Sequence, residues 1–310
     1  MRKIVLLVFI FTFSCIRGLL GQSAEENFMN GFNKYQQGDF KGAIEDYSKA
    51  LTLKPDYTDG YFNRALAFEK LDLDKNAIQD YNKVLLLKPD DANAYLNRGY
   101  VLIKTGKYKN AMVDFNKTLE LKPDLYAAYY QRGLANMYLA NFNDAEKDIM
   151  KFLEFYPSNE TALFSLAELY DDLEEFSKSI DVYNKILQLN DKSAKAYYLR
   201  AYDNDLIAKQ NLAIEDYSKA IEIDSAYTDA YYNRAYIYDD LQQYDKAIVD
   251  YTKVIKLEPY SSDAYYNRGL AKISAGRKSE GCADFKKAAE LGEKSAAKFY
   301  KTNCKYCLNK

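Results

Sequence analysis

With 43 basic against 45 acidic side chains over 310 residues, and a formal net charge of −2, the chain has no overall positive field to recruit DNA or RNA. It contains no histidine, the commonest general base and zinc ligand, so a hydrolase or metalloenzyme is disfavoured and no cofactor or metal is expected. Only 5 prolines and 13 glycines, in a chain with 31 tyrosines, point to regular structure with little loop.

The first residues read as an export signal. MRK supplies a positive start, Ile4 to Phe13 form an apolar run broken only by Thr12, and small residues follow at Ser14, Gly18 and Gly21. The run is shorter than the roughly 17 to 25 residues that cross a bilayer, and no other candidate span exists. Residues 1–22 are therefore expected to be a signal peptide cleaved near Gly21 or Gln22, leaving a periplasmic or secreted protein. The alternative is a lipid anchor at Cys15 in the cell envelope, because Thr12-Phe13-Ser14-Cys15 faintly resembles a bacterial lipobox.

After the signal, one phrase returns every 34 residues: GAIEDYSKALTLKP from Gly42, NAIQDYNKVLLLKP from Asn76, NAMVDFNKTLELKP from Asn110, and so on to EGCADFKKAAELGE from Glu280. Each copy holds two apolar patterns of helical spacing, such as Tyr95 with Leu102, then Ala111, Phe115 and Leu119. Gly38, Gly106 and Gly276 mark the turn between them. Pro55, Pro89, Pro123, Pro157 and Pro259 stop the second pattern where the next copy begins. Each copy is thus expected to be a helix hairpin.

Small residues recur where two such helices must approach, at Gly31, Ala65, Gly99, Gly133, Ala167, Ala201, Ala235 and Gly269 in the first helix. In the second helix they are Ala43, Ala77, Ala111, Ala145, Ser179, Ala213 and Ala247. Arg64, Arg98, Arg132, Arg200, Arg234 and Arg268 share one position, and Asp80, Asp114, Asp148, Asp216, Asp250 and Asp284 follow sixteen residues later. The fifth copy has Leu166 and Val182, losing both together, which points to an Arg–Asp pair within each hairpin. The first copy is the exception, with Asn30 but Asp46.

Repeat length, small residues, aromatic positions and closing prolines together resemble the tetratricopeptide repeat family over residues 23–295, as eight units starting near 24, 58, 92, 126, 160, 194, 228 and 262. The chain departs from the usual pattern in having Tyr where Trp is common in the first helix and Arg where Leu is common. The resemblance implies an all-α fold, a right-handed superhelical α-solenoid of antiparallel helix hairpins with residues 296–310 as a C-terminal capping helix. It implies a non-catalytic scaffold for a protein or an extended peptide.

The resemblance also implies that the first helix of each unit lines a groove. Its fifth positions are Phe62, Leu96, Tyr130, Phe164, Tyr198, Tyr232 and Tyr266. At the ninth stand Tyr100, Leu134, Tyr202, Tyr236 and Leu270, where packing between helices is an equal alternative. Lys70 and Lys104 fall toward the front of this groove, whereas Glu168, Asp171, Asp172, Asp205, Asp239 and Asp240 fall in units five to seven. Such a run is either a solvated face or a site for a basic or amide-rich ligand with an apolar anchor. Chaperone-binding members clamp an acidic C-terminus with Lys at the fifth position and Asn at the ninth. Aromatic residues stand there in this chain, which disfavours that ligand.

At the C-terminus, Cys282 precedes Gly292 by ten residues and Cys304 follows it by twelve. A hairpin turning at Gly292 brings them level, so a Cys282–Cys304 disulfide is expected in an exported protein. Two other functions stay open: thiol–disulfide redox chemistry at Cys304 and Cys307, and self-association through the terminal hairpins as a structural subunit.

Overall fold

The computed structural model describes residues 22–304. The expected export segment up to Gly21, Cys15 and Cys307 lie outside the described residues. Among the described residues every regular element is helical, and the chain forms two compact units, up to Phe155 and from Tyr156. The first unit pairs α1 (Ala24–Gln36) with α2 (Phe40–Leu53), α3 (Thr58–Lys70) with α4 (Asp74–Leu87), α5 (Ala92–Lys104) with α6 (Tyr108–Leu121), and α7 (Tyr126–Tyr138) with α8 (Phe142–Phe155). In the second, α9 (Glu160–Asp172) pairs with α10 (Phe176–Leu189), α11 (Ala194–Leu206) with α12 (Gln210–Ile223), α13 (Thr228–Asp240) with α14 (Tyr244–Leu257), and α15 (Ser262–Ser274) with α16 (Lys278–Glu290). It ends on α17 (Lys294–Phe299), which runs into a π-helical turn over Tyr300–Cys304. Within each unit every helix packs on the next, so the hairpins stack in series as an all-α solenoid.

Local chemistry starts and stops these helices. Ser23 Oγ accepts from the Glu26 amide at 3.0 Å while the Glu26 carboxylate accepts from the Ser23 amide at 3.2 Å, a reciprocal cap on α1. Asp39, Asp91, Asn159 and Ser193 cap α2, α5, α9 and α11 in the simpler way. Inside each hairpin the turn passes through one left-handed residue: Gly38, Asp72, Gly106, Ala140, Glu174, Ala208, Gln242 and Gly276 have φ between 56° and 81°. Five of these are not glycine, and each bears a steric cost of about 1 kcal/mol that the surrounding helices must over-determine.

The two helices of a hairpin cross at the small residues. A Cβ on Gly99 would stand 2.5 Å from the Phe115 ring, and one on Gly31 would stand 2.8 Å from Tyr47. The rings that fill this crossing, Tyr47, Tyr81, Phe115, Tyr183, Tyr217, Tyr251 and Phe285, are buried, with Ile149 taking the same place in the fourth hairpin. Burying each of them contributes on the order of 2 kcal/mol.

Arginine ties the stack together. Arg64 donates through Nε and Nη2 to the two oxygens of Asp80 at 2.7 and 2.8 Å, and through Nη1 to Ser48 Oγ of the preceding hairpin at 2.9 Å. Arg98 and Arg132 repeat this with Asp114 and Asp148, and reach back to Asn82 and Asn116. Arg200, Arg234 and Arg268 do so with Asp216, Asp250 and Asp284. The preceding tyrosine lies over each guanidinium, Tyr95 over Arg98 at 5.6 Å for example, so its ring serves the clip rather than the deep core. In the fifth hairpin Leu166 and Val182 are simply buried. In the first, Asp46 is held instead by Lys34 at 2.6 Å and Lys49 at 2.7 Å.

At the C-terminus α17 covers α16. Phe299 stacks on Phe285 with ring centroids 4.3 Å apart, and Ala296 is buried between them and Cys282.

Candidate functional site: the first-helix face of each unit

In the first unit the fifth-position residues serve the core more than a ligand. Phe62 leans edge-on against buried Tyr81 at 5.7 Å, Tyr130 lies against Phe152 at 5.1 Å, and Leu96 is buried. Leu96 therefore offers almost no surface, which corrects its expected place in the groove: without an aromatic ring it fits wholly under its neighbours. Beside Tyr100 is a recess of about 360 Å³ lined by Tyr35, Glu69, Lys70, Asp74 and Lys104 among others. Lys104 is not a free positive charge there, because it pairs with Asp72 at 2.5 Å and Asp74 at 2.9 Å of the preceding hairpin. The Glu69 carboxylate accepts from the Tyr81 hydroxyl, and its burial pushes its pKa up despite that bond.

The second unit presents a different surface. Phe164, Tyr198, Tyr232 and Tyr266 lean on Tyr183, Tyr217, Tyr251 and Phe285 of their own hairpins at 5.5 to 6.3 Å and are half-buried. Two of them are pinned by the next hairpin: Asn233 Nδ2 donates to the Tyr198 hydroxyl at 3.2 Å, and Asn267 Nδ2 to that of Tyr232 at 2.6 Å. The ninth position is the open one. Tyr202 and Tyr236 are 46% and 60% exposed, and Leu206 beside them is 48% exposed.

Carboxylates border these rings. Asp205 and Asp239 both have raised pKa values, first through burial and then through the charge of Asp240. Asp240 accepts from Gln210 Nε2 at 2.7 Å, and Asp239 Oδ1 is buried without a donor among the described residues. Glu168 and Asp172 are exposed. Asp171 accepts the Tyr183 hydroxyl at 2.9 Å on Oδ2, while its Oδ1 is also buried and finds no donor among the described residues as long as the neighbouring Asp203 is ionised. Asp240 thus opposes the ionisation of both Asp205 and Asp239.

Asp203, next to Tyr202 on α11, is a further acidic residue that the expected groove positions do not include. It is buried on α11, and the Ser179 hydroxyl of α10 donates to it. Aligning the repeats would have found it, because the same position holds Ala67, Val101, Ala135, Leu169, Ile237 and Ala271 elsewhere.

Cys282 and Cys304 are buried with their Cα atoms 5.4 Å apart and their sulfurs in bonding contact. Among the described residues no set of three or more acidic or cysteine side chains is placed to hold a metal ion, and no helix is long and apolar enough to cross a membrane.

Comparison with known proteins places this geometry. Family profiles described as TPR repeat match residues 33–72 and 74–106, and profiles described as tetratricopeptide repeat match 92–125, 130–194, 228–261 and 262–300. No curated protein matches the chain. Among solved structures, MamA is 32% identical over 56% of this chain and 94% of its own, with a TM-score of 0.52. The C-terminal part of a TPR repeat-containing protein from Cytophaga hutchinsonii shares the fold at 21% identity, covering 77% of this chain and 98% of its own with a TM-score of 0.69. PilF from Pseudomonas aeruginosa does so at 18% identity, 71% and 96% coverage and a TM-score of 0.54. The chain belongs to the tetratricopeptide repeat family.

Proposed function

We propose that the protein is a non-catalytic scaffold in an exported compartment, holding an extended peptide or protein segment on the first-helix face of its second unit. The observation that carries this reading is the pairing of exposed Tyr202, Leu206 and Tyr236 with Asp205, Asp239 and Asp240. The rings supply contact area at low side-chain entropy. The carboxylates supply a field that selects a lysine or arginine side chain over a neutral or acidic one. A ligand with one basic residue beside an apolar anchor fits both.

The export signal, and a Cys282–Cys304 disulfide fastening α17 to α16, belong to the same reading, since an oxidising compartment sustains such a bond. Calorimetric titration with short extended peptides carrying Lys, Gln or Glu beside a Leu tests it. Binding of the Lys peptide alone, weakened by salt and by an Asp239→Asn, Asp240→Asn double variant, is expected. Equal affinity for all three peptides would refute the acidic selectivity. Light scattering that grows with protein concentration, with no peptide bound, would instead indicate a self-associating subunit.

A further inference from the structure

Position ten of each first helix is where a hairpin packs onto the one before it. Ala67 sits with Ala43 and Tyr47, Val101 with Ala77 and Tyr81, Ala135 with Ala111 and Phe115, and Ile237 with Ala213 and Tyr217. Between the fifth and sixth hairpins the same place holds Asp203, 1% exposed, and the small residue facing it is Ser179 instead of alanine. Either change alone would strand a polar group in an apolar seam. Together they satisfy one another, because the Ser179 hydroxyl donates to Asp203 Oδ2.

The Asp203 carboxyl also lies within hydrogen-bonding reach of Asp171 on α9. Asp171 is itself engaged by the Tyr183 hydroxyl, and neither aspartate is paired with a lysine or arginine among the described residues. Two carboxyl groups sharing a dry site cannot both ionise cheaply, so one keeps its proton and donates it to the other. The groups acting on Asp203 are Ser179 from α10 and Asp171 from α9, with Tyr183 and Glu168 adjoining Asp171. On α11 itself Arg200 is committed to Asp216 and Asn184, and among the described residues no charged group of α12 or α13 acts on Asp203.

We propose that Asp171 and Asp203 form a proton-operated fastening between the fifth and sixth hairpins, closed while they share a proton and loosened when that proton is lost to solvent. Burial, partly offset by the Ser179 hydrogen bond and reinforced by the charge of Asp171, pushes the Asp203 carboxyl up to about 7. An acid whose folded pKa lies above its unfolded value of 3.8 binds more protons in the folded state between the two values. Its stabilising effect is therefore full at low pH and is lost as pH rises toward about 7, the seam's opening constant growing by up to about tenfold per pH unit in that window. This does not depend on what the groove binds, although Asp171 shares the groove face with Glu168 and Asp172.

The test is native-state hydrogen exchange of the whole protein from about pH 5 to about pH 8, corrected for intrinsic exchange rates. Amides of α10 and α11 are followed, with those of α3 and α4 as internal reference. The seam is expected to open at least about tenfold more readily at the upper pH in the unaltered protein. It should be insensitive to pH in Asp203→Asn, whose amide still offers an oxygen to the Ser179 hydroxyl and an N–H to Asp171 at every pH, and the reference amides should not respond. A flat seam in the unaltered protein, or an undiminished response in Asp203→Asn, overturns the proposal. If the variant misfolds, a carbon-detected titration of Asp203 in the unaltered protein decides: a midpoint near 7 supports the fastening, and one near 4 refutes it.

Discussion

Replacing Arg234 by leucine should cost far more than replacing Arg234 and Asp250 together. In the folded protein Arg234 bridges both oxygens of Asp250 at 2.8 Å and reaches Ser218 Oγ at 2.8 Å, and the Asp250 side chain is only 5% exposed. Arg234→Leu leaves that carboxylate buried without a counter-charge, a loss of about 3 to 5 kcal/mol. Adding Asp250→Val removes the stranded charge and recreates the Leu166 and Val182 pair that the fifth hairpin already uses. Ser218 is not stranded either, since its hydroxyl already donates to the Ile214 carbonyl at 2.6 Å. The double variant should therefore lie within about 1 kcal/mol of the unaltered protein. Urea unfolding read together with hydrogen exchange on α13 and α14 is the appropriate assay, because stacked repeats need not unfold as one step. A single variant costing under about 1 kcal/mol, or a double variant as unstable as the single, would refute the view that the clip matters by neutralising a buried charge.

Three further outcomes follow from local geometry. Ala140→Gly and Glu174→Gly relieve left-handed backbone at φ 57°, and each should raise stability by about 0.5 to 1 kcal/mol; a fall in melting temperature would mean the turns bear no such strain. Gly99→Ala should cost about 1 to 3 kcal/mol as the Phe115 ring is forced aside, and a silent substitution would show that the crossing has slack. Cys282→Ala opens a loop spanning 22 residues of sequence, with an expected loss of about 3 kcal/mol localised to α16 and α17. Thiol labelling of Cys282 and Cys304 in the denatured, unreduced protein would contradict the bond.

Much of the architecture is legible in the sequence because the determinants recur. A helix pair that must cross closely needs a small residue at one spot, and its clip needs Arg and Asp sixteen residues apart, so both appear as periodic letters. The exposed first-helix face is less legible. Phe62, Tyr198 and Tyr236 all sit at helical spacing, but only the crossing of the two helices decides that the first two are half-buried on Tyr81 and Tyr217 while Tyr236 faces outward. By sequence alone Lys104 reads as a free cation on the first-helix face, yet its partners Asp72 and Asp74 lie 32 and 30 residues back, a separation that no single-helix pattern reveals. Asp203 left a trace only as one polar letter in an apolar column, and its meaning required knowing that Ser179 and Asp171 face it.

The most direct test of ligand capture by the second unit is to map where a Lys-containing extended peptide protects the protein from exchange or perturbs its amide resonances. Signals confined to α11 and α13, around Tyr202, Asp205, Tyr236 and Asp239, are the expected result. Binding that instead maps to the second helices of these hairpins, α12 and α14, or to the first unit alone, would contradict the account.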